Sequence, residues 1–368
     1  MNILIIDNSV AFTGAFKCAL NEAELLSGKH RFIFVLSEQS KLKKTLEDKG
    51  FKVYQLPMVE IKRSIPVLLL YPLMLLRNTI ALRSIVKHEQ VDIVQVNDFY
   101  NLLGAMLKVF GYKGKLLTYV RFLPSVMPGV LRKIWIKYGL KYSHRMIAVS
   151  DAVLNQLPDN PKAVRLYDPV QLAENEPAKP AYVGPKVSVL YLSNYIRGKG
   201  QDAALAAFIK AYEKNKNLTL TFMGGDMGLE KNKEFQNELE EIAREAGLSD
   251  VVTFAPFNSN VESAIKAADI VLNCSEAESF SMTCLEAAYY GTALIATRCG
   301  GPEEIIDNGK TGITVPVKDI NAITEALLLL SNDANLRNEY AVNGRAYVKN
   351  KFNIEQYKKG FEQIITGS

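Results

Sequence analysis

Short apolar runs alternate along most of the chain with stretches in which apolar residues recur every three or four positions. The first run, Ile3 to Ile6, is followed by a polar loop from Asp7 to Gly14 and by a helical pattern over residues 15–26. Runs at Phe32–Leu36, Val53–Leu56, Asp92–Val96, Leu116–Val120 and Met146–Val149 predict further strands, with helical stretches between them. The alternation restarts at Val187–Leu192 and continues through strands at Leu218–Met223, Val251–Phe254, Asp269–Asn273 and Ala293–Ala296. Helices are predicted between them over Asp202–Tyr212, Phe235–Glu245 and Val261–Ala267. Phe352-Asn353-Ile354-Glu355 opens a last helix over Tyr357–Ile365. Strands separated by helices predict parallel sheets covered on both faces, so the fold class is α/β.

The periodic pattern lapses between Pro158 and Pro185, and Gln171 to Gly184 has the composition of a linker. A domain over residues 1–170, a linker over 171–185 and a second domain over 186–352 are therefore expected, each of Rossmann-like β/α/β build, facing each other across a cleft. A chain of 368 residues is long enough for two cores.

Composition adds an asymmetry. The net charge is +5, but residues 1–150 hold 22 Lys and Arg against 10 Asp and Glu, whereas residues 151–368 hold 22 against 29. A front half at +12 attracts phosphate or anionic lipid, and without a recognition helix or a basic-aromatic array nucleic acid is not an expected partner. Two stretches join basic and apolar residues. Ile65–Leu76, flanked by Lys62-Arg63 and Arg77, reads as the buried start of a helix in preference to a lipid-interface segment. Val130–Lys141, which contains the only tryptophan, fits a packed helix with a basic side and a membrane-surface helix equally.

Cys18, Cys274, Cys284 and Cys299 have no metal or disulfide spacing, and the three histidines cluster with none of them. With a first segment that turns polar at once, a cytoplasmic, reducing location is expected.

The most specific stretch is Glu278-Ser-Phe-Ser-Met-Thr-Cys-Leu-Glu286, placed after a buried strand and running into a helix. Ser279 and Ser281 are both candidate N-caps, and the free N–H groups of such a terminus suit a diphosphate. Gly14 occupies the corresponding loop after the first strand, where a ligand-binding turn and a simple tight turn are both open. A glycosidase pair is a second use for two carboxylates.

Extended through Gly291 and Cys299-Gly300-Gly301-Pro302 to Gly312, this stretch resembles the retaining glycosyltransferases of family four, which have a GT-B fold and a Glu-x7-Glu motif. Leu192-Ser193-Asn194 through Lys199-Gly200, Phe222-Met223-Gly224-Gly225-Asp226, Ile147 to Ser150 and Tyr167-Asp168-Pro169-Val170 add to the resemblance, which is dense in the back domain and sparse in the front. It implies transfer of a sugar from a nucleoside-diphosphate sugar, UDP-linked in preference to GDP-linked, to a hydroxyl of a glycan or lipid-diphosphate-linked acceptor of surface-polysaccharide type. A peripheral association with the cytoplasmic membrane surface goes with that acceptor. Glu278 would act at the donor sugar and Glu286 at the nucleotide ribose. The backbone of Ser279, Phe280, Ser281, Met282 and Thr283, with Asn194 and Gly14, would complete the donor site. Lys199 would neutralise the leaving diphosphate, assisted by Arg197, because Asn194 stands where the family usually has arginine. Ser279 and Ser281 replace the usual glycines. Arg121 would stand in as a cation on the acceptor side, together with Asn97 and Asp98. The resemblance also implies that the last helix, residues 353–368, completes the front domain. No Asp-x-Asp is present, so neither a metal nor another cofactor is expected. A sugar-nucleotide epimerase and a non-catalytic nucleotide-sugar-binding protein are the alternatives, and the missing glycine fingerprint after Ile6 argues against a nicotinamide dehydrogenase.

Overall fold

The computed structural model describes residues 1–58, 65–169, 184, 186–258 and 260–367. The chain divides into two compact units: unit 1 comprises Met1–Gln171 with Ile354–Ser368, and unit 2 comprises Leu172–Asn353. The linker expected over residues 171–185 lies almost wholly outside the described residues.

Unit 1 is built on seven parallel strands, β1 Asn2–Asp7, β2 Arg31–Ser37, β3 Lys52–Leu56, β4 Ile93–Val96, β5 Lys115–Val120, β6 Arg145–Ala148 and β7 Ala163–Arg165, in the order 3-2-1-4-5-6-7. In β1 the five residues after Asn2 are buried and in β4 all four are, as a sheet covered on both faces requires. Ile3 to Ile6 of β1 pair with Ile93 to Val96 of β4, and there the strand order reverses. Leu4, Ile6, Ile33, Val35, Val94, Val96 and Leu116 form much of one core layer. β7 is a three-residue edge strand inside the proline-rich stretch, too short to show a hydrophobic period.

Unit 2 has six parallel strands, β8 Val187–Leu192, β9 Leu218–Gly224, β10 Val252–Pro256, β11 Ile270–Asn273, β12 Ala293–Thr297 and β13 Ile313–Val315, in the order 10-9-8-11-12-13. Its reversal falls between β8 and β11, where Val189 and Leu190 pair with Ile270 and Val271. Two helices the hydrophobic pattern did not predict, Ile320–Asn332 and Ala334–Lys351, cover this sheet, with Ile323, Leu327 and Leu330 in the core.

The helix begun by the Ile65 run extends over Ile65–His88 with Pro72 inside it. Its expected burial is not observed along the described part of the run, since Leu70, Leu73 and Leu76 are exposed. Among the described side chains Leu75 already packs against the core, and full burial begins at Asn78, Thr79 and Leu82.

Candidate functional site

In open parallel sheets, ligands bind beyond the carboxyl ends of the strands where strand order reverses. In unit 2 those ends are the loops after β8 and β11, and Lys199 and Glu278 meet there. The Lys199 Nζ donates to Glu278 Oε1 at 2.7 Å, and Ser275 Oγ donates to the same oxygen at 2.8 Å. The pair is accessible without being loose: the side chains are 32% and 14% exposed. Burial works against the Lys199 ammonium, but the charge and hydrogen bond of Glu278 outweigh it and raise the lysine pKa. Lys199 is a fixed cation here.

Local chain geometry explains this precision. Gly198 and Gly200 both have positive φ, +91° and +81°. A Cβ on Gly200 would lie 1.9 Å from the Cys274 carbonyl oxygen, so this loop can approach the β11 exit only as glycine. Tyr191, buried in β8, donates its hydroxyl to the Lys199 carbonyl and accepts from the Cys274 N–H at 2.9 Å, joining the two loops. Glu278 is held by its backbone: its N–H donates to the Cys299 carbonyl at 3.1 Å, and Gly301 N–H donates to its carbonyl at 2.8 Å. A Cβ on Gly301 would lie 2.2 Å from the Phe280 Cα, which makes that glycine a packing requirement.

The helix Met282–Tyr290 starts at Ser281, whose hydroxyl accepts from Cys284 N–H and from Asn273 Nδ2. Ser281 has φ +78°, a left-handed conformation that glycine adopts at less cost. The serine thus takes over a glycine conformation and adds an N-cap. Ser279 does not cap the helix. The first-turn N–H groups of Met282 and Thr283 have no acceptor within an α-helix. The Thr283 hydroxyl itself donates to the Leu192 carbonyl at 3.4 Å. Phe280 is buried, edge-on to Phe352 at 5.2 Å, so its side chain belongs to the core and only its backbone is left to serve a ligand. Glu286 is a buried carboxylate farther along the same helix.

Two expected donor-side residues are used otherwise. Arg197 turns away from Lys199: its guanidinium grips both oxygens of Glu238, at 2.5 and 2.6 Å, and lies over the Phe235 ring. It makes an exposed surface pair and does not restore the charge missing at Asn194. Asn194 accepts from Gly225 N–H at 3.2 Å through its side chain, tying the exits of β8 and β9 together.

In unit 1 the carboxyl ends of β1, β4 and β5 bring Asn97, Asp98 and Arg121 together. Arg121 Nε donates to Asn97 Oδ1 at 2.7 Å, its N–H donates to Asp98 Oδ1 at 3.4 Å, and its guanidinium pairs with Asp168. The expectation of a cation presented to an acceptor is corrected, because Arg121 is 5% exposed and packed over the Tyr119 ring. Burial raises the pKa of Asp98, against the hydrogen bonds of Phe99 and Arg121 N–H. Gly14 begins the helix Gly14–Leu26 behind the N-cap Thr13, and a Cβ there would meet nothing. No tight turn requires that glycine.

Tyr191, Ser275, Asn273 and Asp168 were not anticipated as site residues. The first was hidden in an apolar run, and Ser275 was marked only by the polar turn after β11. All four cysteines are buried free thiols; burial pushes Cys299 up to about 12. Among the described residues, no group of three or more His, Cys, Asp or Glu could hold a metal.

Comparison with known proteins finds relatives in sequence and in fold. Residues 173–347 match the family described as glycosyl transferases group 1. The chain is 30% identical over 214 residues to the alpha-1,3/1,6-mannosyltransferase ALG2 of Dictyostelium discoideum, covering 53% of this chain and 49% of that protein. It is 26% identical over 242 residues to the N-acetyl-alpha-D-glucosaminyl L-malate synthase of Bacillus anthracis, covering 62% and 61% respectively. The chain thus spans about half to three-fifths of the length of these relatives. Among solved structures, Anabaena Alr3699/HepE in complex with UDP-glucose superimposes with a TM-score of 0.83 at 16% identity, covering 100% of both chains. The two parallel-sheet units are those of a GT-B fold. The group 1 match contains Lys199, Glu278 and Glu286.

Proposed function

We propose that the chain is a glycosyltransferase that takes a sugar from a nucleoside-diphosphate sugar, UDP-linked by preference, and passes it with retention to a hydroxyl of a glycan or lipid-linked glycan. The observation that carries this reading is the Lys199–Glu278 pair at the reversal point of the unit 2 sheet, beside the first turn of the Met282–Tyr290 helix. A diphosphate needs positive charge where its own negative charge develops on departure. A fixed ammonium and the N–H groups of a helix start supply that without rearrangement. Glu278, already bonded to Lys199 and Ser275, keeps the ammonium in place and offers its second oxygen to sugar hydroxyls. Glu286 accepts from the ribose diol. Lys199 and the helix terminus carry the electrostatic load in this scheme, with no metal invoked. The departing phosphate takes the proton of the acceptor hydroxyl, and no enzyme nucleophile is assigned.

Anabaena Alr3699/HepE, which shares the fold, is complexed with UDP-glucose in one solved structure and with UDP and glucose in another, which supports a nucleotide-sugar donor for this chain. The test is calorimetric titration with a panel of UDP- and GDP-sugars, followed by turnover with and without added acceptors. Donor binding with acceptor-dependent release of nucleoside diphosphate is expected, and Glu278→Gln should reduce turnover while leaving donor binding in place. Conversion of the donor without an acceptor would establish an epimerase instead, and binding without turnover a sensor of nucleotide sugars.

A further inference from the structure

Two helices of unit 1 hold large apolar side chains in exposed positions. On the helix Gly129–Tyr142, Val130, Ile134 and Tyr138 recur every fourth residue and are 74%, 39% and 39% exposed. Lys133, Lys137 and Lys141 follow on the adjoining exposed positions. The helix Ile65–His88 repeats the arrangement, with exposed Leu70, Leu73, Leu76 and Ile80 leading into exposed Arg77, Arg83 and Lys87. The two helices are neighbours, since Met74 and Leu75 of one and Trp135 of the other line a common cavity of about 290 Å³. None of Arg77, Arg83, Lys133 or Lys137 has an acidic partner among the described residues. From Phe99 to Ser150 the sequence contains nine Lys and Arg and no Asp or Glu at all. An ordinary solvated helix face mixes both signs and hides its large aliphatics.

We infer that these two helices are the face by which unit 1 seats itself on an anionic lipid bilayer. The apolar residues enter the headgroup boundary, and the lysines beside them meet lipid phosphates. Behind the first helix a groove of about 680 Å³ is lined by Arg132, Lys133 and Lys137 together with Ile136, Leu140 and Leu157. It offers cations and an apolar wall side by side, the combination that one anionic headgroup with the root of its chains would occupy. A polyanion such as nucleic acid would use the lysines but leave the exposed aliphatics in water, and a purely apolar partner would leave the acid-free charge unused. Both halves of the pattern are satisfied by a charged bilayer. Among the described residues, no helix is long and apolar enough to cross the membrane, so the contact is with its surface. The inference deepens the proposed function, because an acceptor carried on a lipid would be met at that surface.

The test is co-sedimentation of the full chain with vesicles of phosphatidylcholine alone or mixed with phosphatidylglycerol, at several salt concentrations. Binding should require phosphatidylglycerol and weaken as salt screens the lysines. The pair Lys133→Gln and Lys137→Gln should weaken it roughly twenty-five-fold, at about five-fold per cation. The pair Val130→Glu and Ile134→Glu should abolish it, whereas Lys231→Gln with Lys233→Gln, an equal loss of charge on exposed residues of unit 2, should leave it intact. Equal binding to both vesicle types, no binding to either, or insensitivity to the Val130 and Ile134 changes would overturn the inference; tight heparin binding with that same insensitivity would show a polyanion site. Titration of each variant with the same panel of UDP- and GDP-sugars separates the two readings. Lost vesicle binding with intact donor binding removes only the membrane face, and vesicle binding without donor binding removes only the transferase.

Discussion

The two units each set a cation against a carboxylate beyond the ends of their central strands, and treat the pair in opposite ways. Arg121 and Asp168 in unit 1 have side chains 2% and 6% exposed, and Asn97 and the Tyr119 ring occupy the remaining faces of the guanidinium. Lys199 and Glu278 in unit 2 stay open, at 32% and 14%. A pair enclosed by protein has no access to a ligand and serves the fold, while a pair open on one side can exchange one partner for a substrate group. Burial, more than residue type, separates an internal strut from a site.

The largest effects should come from breaking the enclosed pair. Arg121→Met leaves Asp168 buried without its cation, and a loss of about 3–5 kcal/mol of stability is expected in urea unfolding. Lys199→Ala removes a part-exposed cation that water can partly replace, so the unfolding midpoint should move little. Turnover, however, should fall by about 10²–10³, the scale of losing one preorganised charge-stabilising group. If Lys199→Ala unfolds the protein while Arg121→Met is harmless, the assignment of roles is reversed.

A cluster of mixed exposure sharpens the contrast. Glu89 has a side chain 3% exposed, but its partners Arg31 and Lys52 are 50% and 46% exposed. Burial works against its charge, yet hydrogen bonds from Lys52, Tyr54 and Arg31 prevail and hold its pKa down at about 2. A carboxylate depressed in the folded state contributes stability above its ordinary value of 4.5, and that contribution disappears as pH falls toward about 2. Glu89→Gln should cost about 2 kcal/mol near neutral pH, and flatten the loss of stability between those two pH values. An unchanged acid slope would show that the cluster is too well solvated to matter.

How far the sequence foretold this contrast depends on the residue. Glu278 stood out because a buried run, a small-polar loop and a helix start are local patterns, whereas Lys199 was singled out only by the Lys-Gly pair of the resemblance; the local patterns also predicted the strands that flank each reversal. Arg121 and Arg197 were misjudged because their partners, Asp168 and Glu238, lie 47 and 41 residues away, and nothing local to an arginine announces which carboxylate it will meet. The edge strands β7 and β13 have three residues each, less than two periods of alternation, so only their pairing with β6 and β12 defines them. Exposed Leu70 and Leu73 misled in the other direction, since an apolar run reads as core wherever nothing local says which face is covered.

The smallest test concerns Ser281, where local and global demands compete. The left-handed conformation at φ +78° disfavours a side chain by about 1–2 kcal/mol, whereas its hydroxyl caps the helix through Cys284 N–H. Ser281→Ala keeps the strain and loses the cap, so it should destabilise by about 1 kcal/mol. Ser281→Gly relieves the strain, loses a few tenths from the cap and about 0.5–1 kcal/mol in chain entropy, and should remain within about 0.5 kcal/mol of the parent. Glycine also frees the loop beside Glu278, so donor affinity in the two variants should diverge from their stabilities if the serine is there to hold the site. If both variants lose the same stability, the hydroxyl alone matters and the backbone conformation carries no strain.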